Sequence, residues 1–172
     1  MKVTTALALV LTILGAALPA HAATYSGIAG APGVLWISTG SPAPLPDASI
    51  RQTAKAFVPE LLVITPGTAV RFPNDDHFFH SVYSDSPSNP FDLGLYDNGP
   101  GKSVVFENTG VVDVRCHVHG TMHATIVVVD GPFAVTTRAG ERFHIDGVPP
   151  GPRALHVWTD GTRVATSYVV VK

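Results

Sequence analysis

Short apolar runs separated by turn-forming residues set the strongest limit on how this chain folds. The 172 residues include 16 glycines and 15 prolines, which are spread along the chain. Beyond the N-terminal apolar segment, no stretch has a helical period. Runs rich in valine, isoleucine, threonine and phenylalanine lie at Leu61–Thr65, Thr68–Phe72, Ser103–Glu107, Val111–Arg115, Ala124–Asp130, Phe143–Ile145, Ala154–Trp158 and Thr166–Val171. Many short strands with regular turn signals predict an all-β sandwich or barrel.

The N-terminal segment has the layout of a secretory signal peptide. Lys2 precedes the apolar run Ala6–Leu18, Pro19 follows, and Ala20-His21-Ala22 offers small residues at the two positions that a signal peptidase reads. The run is too short for a permanent membrane anchor. We expect residues 1–22 to be removed after Ala22, leaving a periplasmic protein with no membrane span. A retained anchor is the alternative.

The charge and the single cysteine narrow the function classes. Charged residues make up 14% of the chain and the net charge is −2, so no basic stripe exists to meet nucleic-acid phosphates. Cys116 is the one cysteine and has no internal disulfide partner. A free thiol outside the cytoplasm is a liability unless it is buried or bound to a metal. An inert buried thiol is the simpler interpretation, but the residues around Cys116 favour a metal.

Potential metal ligands cluster between two predicted strands, in the run from Cys116 to His123. Sulfur and nitrogen donors fall at Cys116, at His119 three residues on, and at Met122 three residues further. A short loop that folds back can direct all three side chains at one point. A thiolate, two imidazoles and a distant thioether form the donor set of a type 1 (blue) copper site. Zinc also binds Cys-His-His sets, but the methionine favours copper.

The second imidazole of such a site must come from elsewhere, and His80 is the candidate. On a strand, His80 and the apolar Val82 share a face, while Ser81 points the other way. Cys116 continues the apolar face of the run before it, so His80 and Cys116 are expected to meet in the interior. His77, in a polar loop, is the competing candidate.

The segment from Phe57 to Asp130 resembles the plastocyanin/amicyanin group of cupredoxins, in particular methylamine-utilisation-like proteins. The resemblance is carried by Val70-Arg71-Phe72-Pro73-Asn74, His80-Ser81-Val82 and Cys116-x-x-His119-x-x-Met122. It implies a cupredoxin-like Greek-key β-sandwich that binds one copper ion.

By the same resemblance, His80 and His119 would be the imidazole ligands, Cys116 the thiolate and Met122 the weak axial ligand. Asn74 would not bind the ion itself but would tie the ligand-bearing segments together beside the sulfur. Gly120 stands where amicyanin-type loops carry proline, which predicts a less rigid loop and puts the reduction potential in doubt.

The other histidines have less specific surroundings. His117 and His123 are expected to be surface residues of the ligand loop, with capture of incoming copper as the alternative. His144 and His156 alternate with apolar neighbours, so we expect them to be structural.

Two pairs of residues before His80 complete the local picture. Phe78 and Phe79 either form an apolar rim around the copper site or belong to the core. Asp75 and Asp76 are expected to be solvated loop carboxylates.

The flanks resemble a carboxypeptidase regulatory-like β-sandwich. The C-terminal part has a Gly147-Val148-Pro149-Pro150-Gly151 turn between two predicted strands, and the N-terminal part resembles the opening half of such a unit. We expect a cupredoxin domain at 51–131, with 23–50 and 132–172 together forming a second small β-sandwich. Alternatively, the flanks extend one larger sandwich.

The expected function is transfer of single electrons between a transient donor and a transient acceptor protein, with docking through the apolar surface near His119. Four protein ligands leave no open metal position, so we do not expect an enzyme. A copper chaperone or buffer is the alternative, favoured by surplus histidines such as His77 and by Gly120. A metal-free interaction module is a further rival. We expect a monomer.

Overall fold

A computed structural model describes residues 22–40, 42–160 and 164–172. Within these ranges every secondary-structure element is a β-strand. The predicted all-β class is confirmed. In these ranges no helix has the length and apolar character needed to cross a membrane. The predicted signal peptide lies outside the described residues, apart from Ala22.

The described chain forms sixteen strands, most of them short because glycine and proline interrupt them. They are β1 (Ala23–Ile28), β2 (Gly33–Ile37), β3 (Ala48–Ser49), β4 (Arg51–Thr53), β5 (Ala56–Val58), β6 (Leu61–Ile64), β7 (Thr68–Asn74), β8 (His80–Ser84), β9 (Phe91–Tyr96), β10 (Gly99–Phe106), β11 (Gly110–Arg115), β12 (His123–Val128), β13 (Phe133–Thr137), β14 (Arg142–Val148), β15 (Gly151–Thr159) and β16 (Ala165–Val171).

These strands form three sheets and one separate strand pair. The first sheet has the order β10-β7-β4-β5, with β3 beside β7. The second sheet has the order β6-β12-β11-β8-β9, and the third has the order β13-β2-β15-β16. β1 pairs with β14. Most pairings are antiparallel, but β6 runs parallel to β12, and β3 and β4 run parallel to β7.

The largest core lies between the first and second sheets. Alternate residues of β12, namely Ala124, Ile126 and Val128, point into it and are fully buried. Phe57, Phe72 and Phe106 fill it from the first sheet. Cys116 and Met122 belong to the same cluster, so the predicted thiolate and thioether lie at the edge of the main core.

The opposite face of the second sheet is also covered. Val127 and Val129 point away from the main core and pack against Val34, Trp36 and Trp158 of the third sheet. The strand β2 buries all five of its residues, because one of its faces packs against the second sheet and the other against the β1–β14 pair. A strand covered on both faces has a continuous apolar sequence, as β2 does.

The other face of the third sheet packs against the β1–β14 pair. Leu35 and Ile37 of β2 contact a cluster that includes Phe143, Ile145 and Val148 of β14. Both ends of the chain therefore contribute to the third sheet and to the strand pair. Four layers result, with the second sheet sandwiched between the first and the third.

Candidate metal centre

Three side chains converge at one end of the main core. His80 is the first residue of β8, Cys116 directly follows β11, and His119 lies in the loop before β12. The Cys116 Sγ atom is 3.8 Å from Nδ1 of His80 and 4.0 Å from Nδ1 of His119. The two Nδ1 atoms are 3.1 Å apart. Among the described residues, this is the one cluster of histidine, cysteine or acidic side chains close enough to hold a metal ion.

The three donors differ in their exposure. His80 is fully buried and Cys116 is 4% exposed, whereas His119 is only partly buried. His119 is therefore the donor closest to solvent.

The far side of the His80 ring is held by Asp76. The His80 Nε2 atom is 2.9 Å from a carboxylate oxygen of Asp76. A carboxylate accepts hydrogen bonds, so Nε2 carries the proton and the Nδ1 lone pair faces Cys116 and His119. This second hydrogen bond is the one that typically orients a metal-binding histidine.

Asp76 is therefore not the solvated carboxylate that the sequence predicted. Its side chain is 12% exposed and also accepts the backbone N–H groups of Ala54 and Lys55. Burial alone would raise the pKa of Asp76, but the hydrogen bonds from Lys55, His80 and Ala54 outweigh it and lower that pKa. Asp75 instead pairs with the exposed Arg51.

Ser81 supplies the contacts to the sulfur. Its backbone N–H lies 3.5 Å from Cys116 Sγ and its hydroxyl 3.8 Å away. The same hydroxyl accepts the backbone N–H of His117 at 2.8 Å, which joins β8 to the ligand loop. The parity argument placed Ser81 away from the interior, yet it is buried beside the thiol.

The surroundings of Cys116 favour the thiolate, which is the metal-binding form. Burial alone would raise the pKa of the thiol. The backbone N–H groups of Ser81, His119 and Val118 act against burial and lower the pKa of Cys116.

Asn74 bonds to the loop before His80 and not to the donors themselves. Its side-chain N–H donates to the carbonyl of Phe78 at 2.9 Å, and its amide oxygen accepts the N–H of Asp76 at 3.0 Å. Asn74 thus holds the loop that leads into His80. The hydrogen bonds described at the sulfur come from Ser81, and the role of Asn74 beside the sulfur stays a prediction.

Met122 lies in the core near the three donors. It is 2% exposed, belongs to the same buried cluster as Cys116, and donates its backbone N–H to the carbonyl of His119 at 2.9 Å. This bond closes the loop between the two predicted ligands. The role of Met122 as axial ligand stays a prediction.

A cavity of about 440 Å³ lies on the other side of the ligand loop. Gly120, Met122 and His123 line it from the loop, and Trp158 and Asp160 line it from β15 and the residue beyond. The third sheet therefore reaches the neighbourhood of the metal centre.

Phe78 covers the two imidazoles from outside. Its ring packs edge-on against His80 at 5.1 Å and His119 at 5.6 Å, between centroids. Phe78, Phe79 and Val118 are each more than a third exposed. Of the two alternatives for the phenylalanines, the structure favours the apolar rim.

The remaining histidines lie outside the donor cluster. His77 and His123 are exposed. His117 stacks on Tyr83, with ring centroids 3.7 Å apart, and its Nε2 is 3.5 Å from a carboxylate oxygen of Asp92.

The two histidines of the C-terminal region also lie away from the donors. His156 bonds to the hydroxyls of Ser38 and Thr166, as expected of a structural residue, and His144 is exposed on β14.

The donor set fits a copper ion. A cysteine thiol with a lowered pKa, two imidazole nitrogens and a methionine thioether in the same buried cluster are the soft and borderline ligands of type 1 copper, and the Asp76 contact fixes the tautomer of His80. The hydrogen bonds of Asp76 and Ser81 supply the outer contacts that such ligands need.

Known proteins resemble the chain in structure more than in sequence. No protein-family model and no curated protein matches it. A purple cupredoxin from Nitrosopumilus maritimus is 26% identical, with 48% of this chain and 100% of that chain covered and a TM-score of 0.43. Amicyanin from Paracoccus versutus is 13% identical, with 55% and 97% covered and a TM-score of 0.44.

A copper-containing nitrite reductase from Thermus scotoductus is 23% identical, with a TM-score of 0.47. The match covers 56% of this chain but only 25% of the reductase. In all three cases, the likeness extends over about half of this chain.

Proposed function

We propose that this protein is an exported carrier of single electrons that uses one type 1 copper ion. His80, Cys116 and His119 would bind the ion, with Met122 as a weak axial ligand. The observation that carries the proposal is the convergence of one sulfur and two Nδ1 atoms, all within 4.8 Å of one another. Copper bound there would supply a one-electron couple.

The surroundings of the donors suit a centre that must not rearrange. Two donors are buried in a β scaffold; the His80 ring is held by its hydrogen bond to Asp76, and the sulfur accepts hydrogen bonds from Ser81. Prepositioned ligands reduce the reorganisation that a change of charge would otherwise require. With four protein ligands, no position stays open for a substrate, so we do not propose an enzyme.

Docking of the redox partners belongs at the His119 end. The half-buried His119 is covered by Phe78, and the exposed Phe79 and Val118 adjoin His80 and His119 in the chain. An apolar surface of this kind suits brief contacts with a donor protein and an acceptor protein.

The visible spectrum after addition of copper(II) tests the proposal. An intense thiolate-to-copper charge-transfer band is expected in the wild type, and its complete loss in Cys116→Ala. His77→Ala is the matched control and should keep the band, because His77 lies outside the cluster. A colourless wild type at full copper loading would refute the proposal.

Copper delivery is the second candidate, favoured by the exposed His77 and His123 near the site. Electron self-exchange measured by NMR line broadening separates the two functions. A carrier of electrons exchanges rapidly without losing copper, whereas a chaperone releases the ion to a competing chelator.

We further propose that the protein acts in the periplasm as a monomer after removal of residues 1–22. The division into a copper-binding domain at 51–131 and a second sandwich from 23–50 and 132–172 is also a proposal. It is supported by the third sheet and the β1–β14 pair, which combine strands from both flanks.

A further inference from the structure

The turn between β4 and β5 has an unfavourable backbone. Ala54 and Lys55 have φ angles of 51° and 60°, and they are the only non-glycine residues with positive φ in the described ranges. Left-handed conformations are unfavourable for a non-glycine residue, so they persist where surrounding contacts enforce them. Neither residue is the asparagine or glycine that usually occupies such turns.

The contacts that enforce this turn lead to the metal centre. The backbone N–H groups of Ala54 and Lys55 both donate to the Asp76 carboxylate, at 2.7 and 2.9 Å. One of the two carboxylate oxygens also accepts the Nε2–H of His80. The turn conformation fixes the direction of its two N–H groups, and these in turn fix the carboxylate.

A second contact reaches the site through the side chain of Lys55. Its ammonium lies 5.5 Å from the centroid of the Phe78 ring, within the range of a cation–π interaction. Phe78 packs edge-on against both His80 and His119. The same turn thus touches the outer side of the donor cluster at two points.

We propose that the Ala54–Lys55 turn positions His80 by acting through Asp76. It holds the imidazole in the tautomer and orientation that direct Nδ1 at Cys116 and His119. Without the two backbone donors, the carboxylate would turn towards solvent and the ring would lose its fixed partner. The purpose of this device rests on the proposed copper function, but its physical effect exists in the metal-free protein.

Two substitutions at one residue test the role of the turn. Ala54→Gly keeps the N–H group and tolerates positive φ, whereas a β-branched residue does not, so Ala54→Val should open the turn. Imidazole ¹⁵N–¹H correlation spectra of the metal-free protein should show His80 in one tautomer in the wild type and in Ala54→Gly. Ala54→Val should show an average of two tautomers. A single unchanged tautomer in Ala54→Val would overturn the proposal.

A second pair of variants tests the link between the turn, Asp76 and His80 if Ala54→Val does not fold. Asp76→Asn should release His80 and accelerate amide hydrogen exchange at Ala54 and Lys55 by about tenfold or more, the loss expected for hydrogen bonds to a charged acceptor. Asp75→Asn is the control, since Asp75 pairs with Arg51 and has no bond to His80. Equal exchange rates in the two variants would contradict the proposal.

Copper addition separates this proposal from the one on which it rests. If the wild type gives no charge-transfer band although His80 responds as described, the copper function fails and the positioning role stands. If the wild type turns blue while His80 is indifferent to Ala54 and Asp76, the positioning role fails alone.

Discussion

Ser81 is the side chain with the most direct influence on the sulfur. Its N–H and its hydroxyl both face Cys116, and the hydroxyl also receives the N–H of His117. Hydrogen bonds to a thiolate withdraw charge from it and so stabilise a metal ion in its lower oxidation state. The potential of a bound copper ion should therefore depend on Ser81.

Ser81→Ala should lower the reduction potential, because it removes the hydroxyl and leaves the N–H in place. A difference of about 1 kcal/mol between oxidation states corresponds to roughly 40 mV for one electron. Cyclic voltammetry of the copper protein measures the shift. Ser84→Ala, a buried serine whose hydroxyl accepts the N–H of Ser86, is the control and should leave the potential unchanged. An unchanged potential in Ser81→Ala would show that the hydroxyl does not act on the sulfur, and a rise would contradict the expected sign.

Asp130 gives the protein a predictable response to acid. Burial alone would raise its pKa, but hydrogen bonds from Ser38 and Trp36, with a contribution from His156, outweigh burial and lower it from the ordinary 3.8. A group with a lowered folded-state pKa stabilises the fold above its unfolded-state value. That stability is lost as the pH falls from 3.8 through the lower folded-state pKa.

Asp130→Asn should therefore flatten the dependence of unfolding free energy on pH below 3.8, the ordinary carboxyl value. Urea unfolding at a series of acidic pH values measures it. Asp47→Asn, at an exposed loop position, is the control and should retain the wild-type slope. The same slope in both variants would mean that Asp130 gains nothing from its bonds.

Among the strands, β12 is one of those that belong to two cores. Ile126 points into the main core and Val127 into the layer beneath the third sheet, and both are fully buried. Neither face tolerates an unpaired polar group.

Val127→Thr replaces a methyl group between the second and third sheets with a hydroxyl group of nearly the same size. The expected loss is about 1–3 kcal/mol of unfolding free energy, the cost of burying a hydroxyl without a partner. Chemical denaturation measures it. Val105→Thr on β10 is the control, since Val105 is 48% exposed, and should change stability little. Similar losses in both variants would show that the third sheet does not exclude water from Val127.

The sequence predicted the strands better than their layering. Turn residues marked most strand ends, and the Cys-x-x-His-x-x-Met spacing located the loop that carries two of the converging donors. The continuous run Val34-Leu35-Trp36-Ile37 could have indicated a strand covered on both faces. Nothing local marked the turn at Ala54 and Lys55, because its positive φ angles depend on a carboxylate about twenty residues away. Asp76 was predicted to be solvated because the backbone groups that it binds lie equally far away in the sequence.

Across the protein as a whole, the shared second sheet makes the two halves dependent on each other. Both tryptophans of the sequence, Trp36 and Trp158, lie in the layer between the second and third sheets. The proposed copper ligands lie at the edge of the main core, on the other face of the second sheet. Each layer therefore has its own optical probe.

Loss of the charge-transfer band and the shift of the tryptophan emission maximum to longer wavelength, which reports exposure of the indole to water, should have the same urea midpoint in the copper-loaded protein. Since β11 and β12 contribute to both cores, neither core can open while the other stays intact. Two separated transitions, with emission changing first, would show that the flanking layers unfold independently.

The cavity beside the ligand loop has a practical consequence. Trp158 and Met122 line the same space of about 440 Å³, so an indole ring lies within energy-transfer range of whatever ion the loop holds. The fluorescence of Trp158 should therefore report how much of the protein has copper bound. Dimming of that emission by copper(II), and its absence in Trp158→Phe, would let loading be followed in dilute samples where the colour is too faint to see.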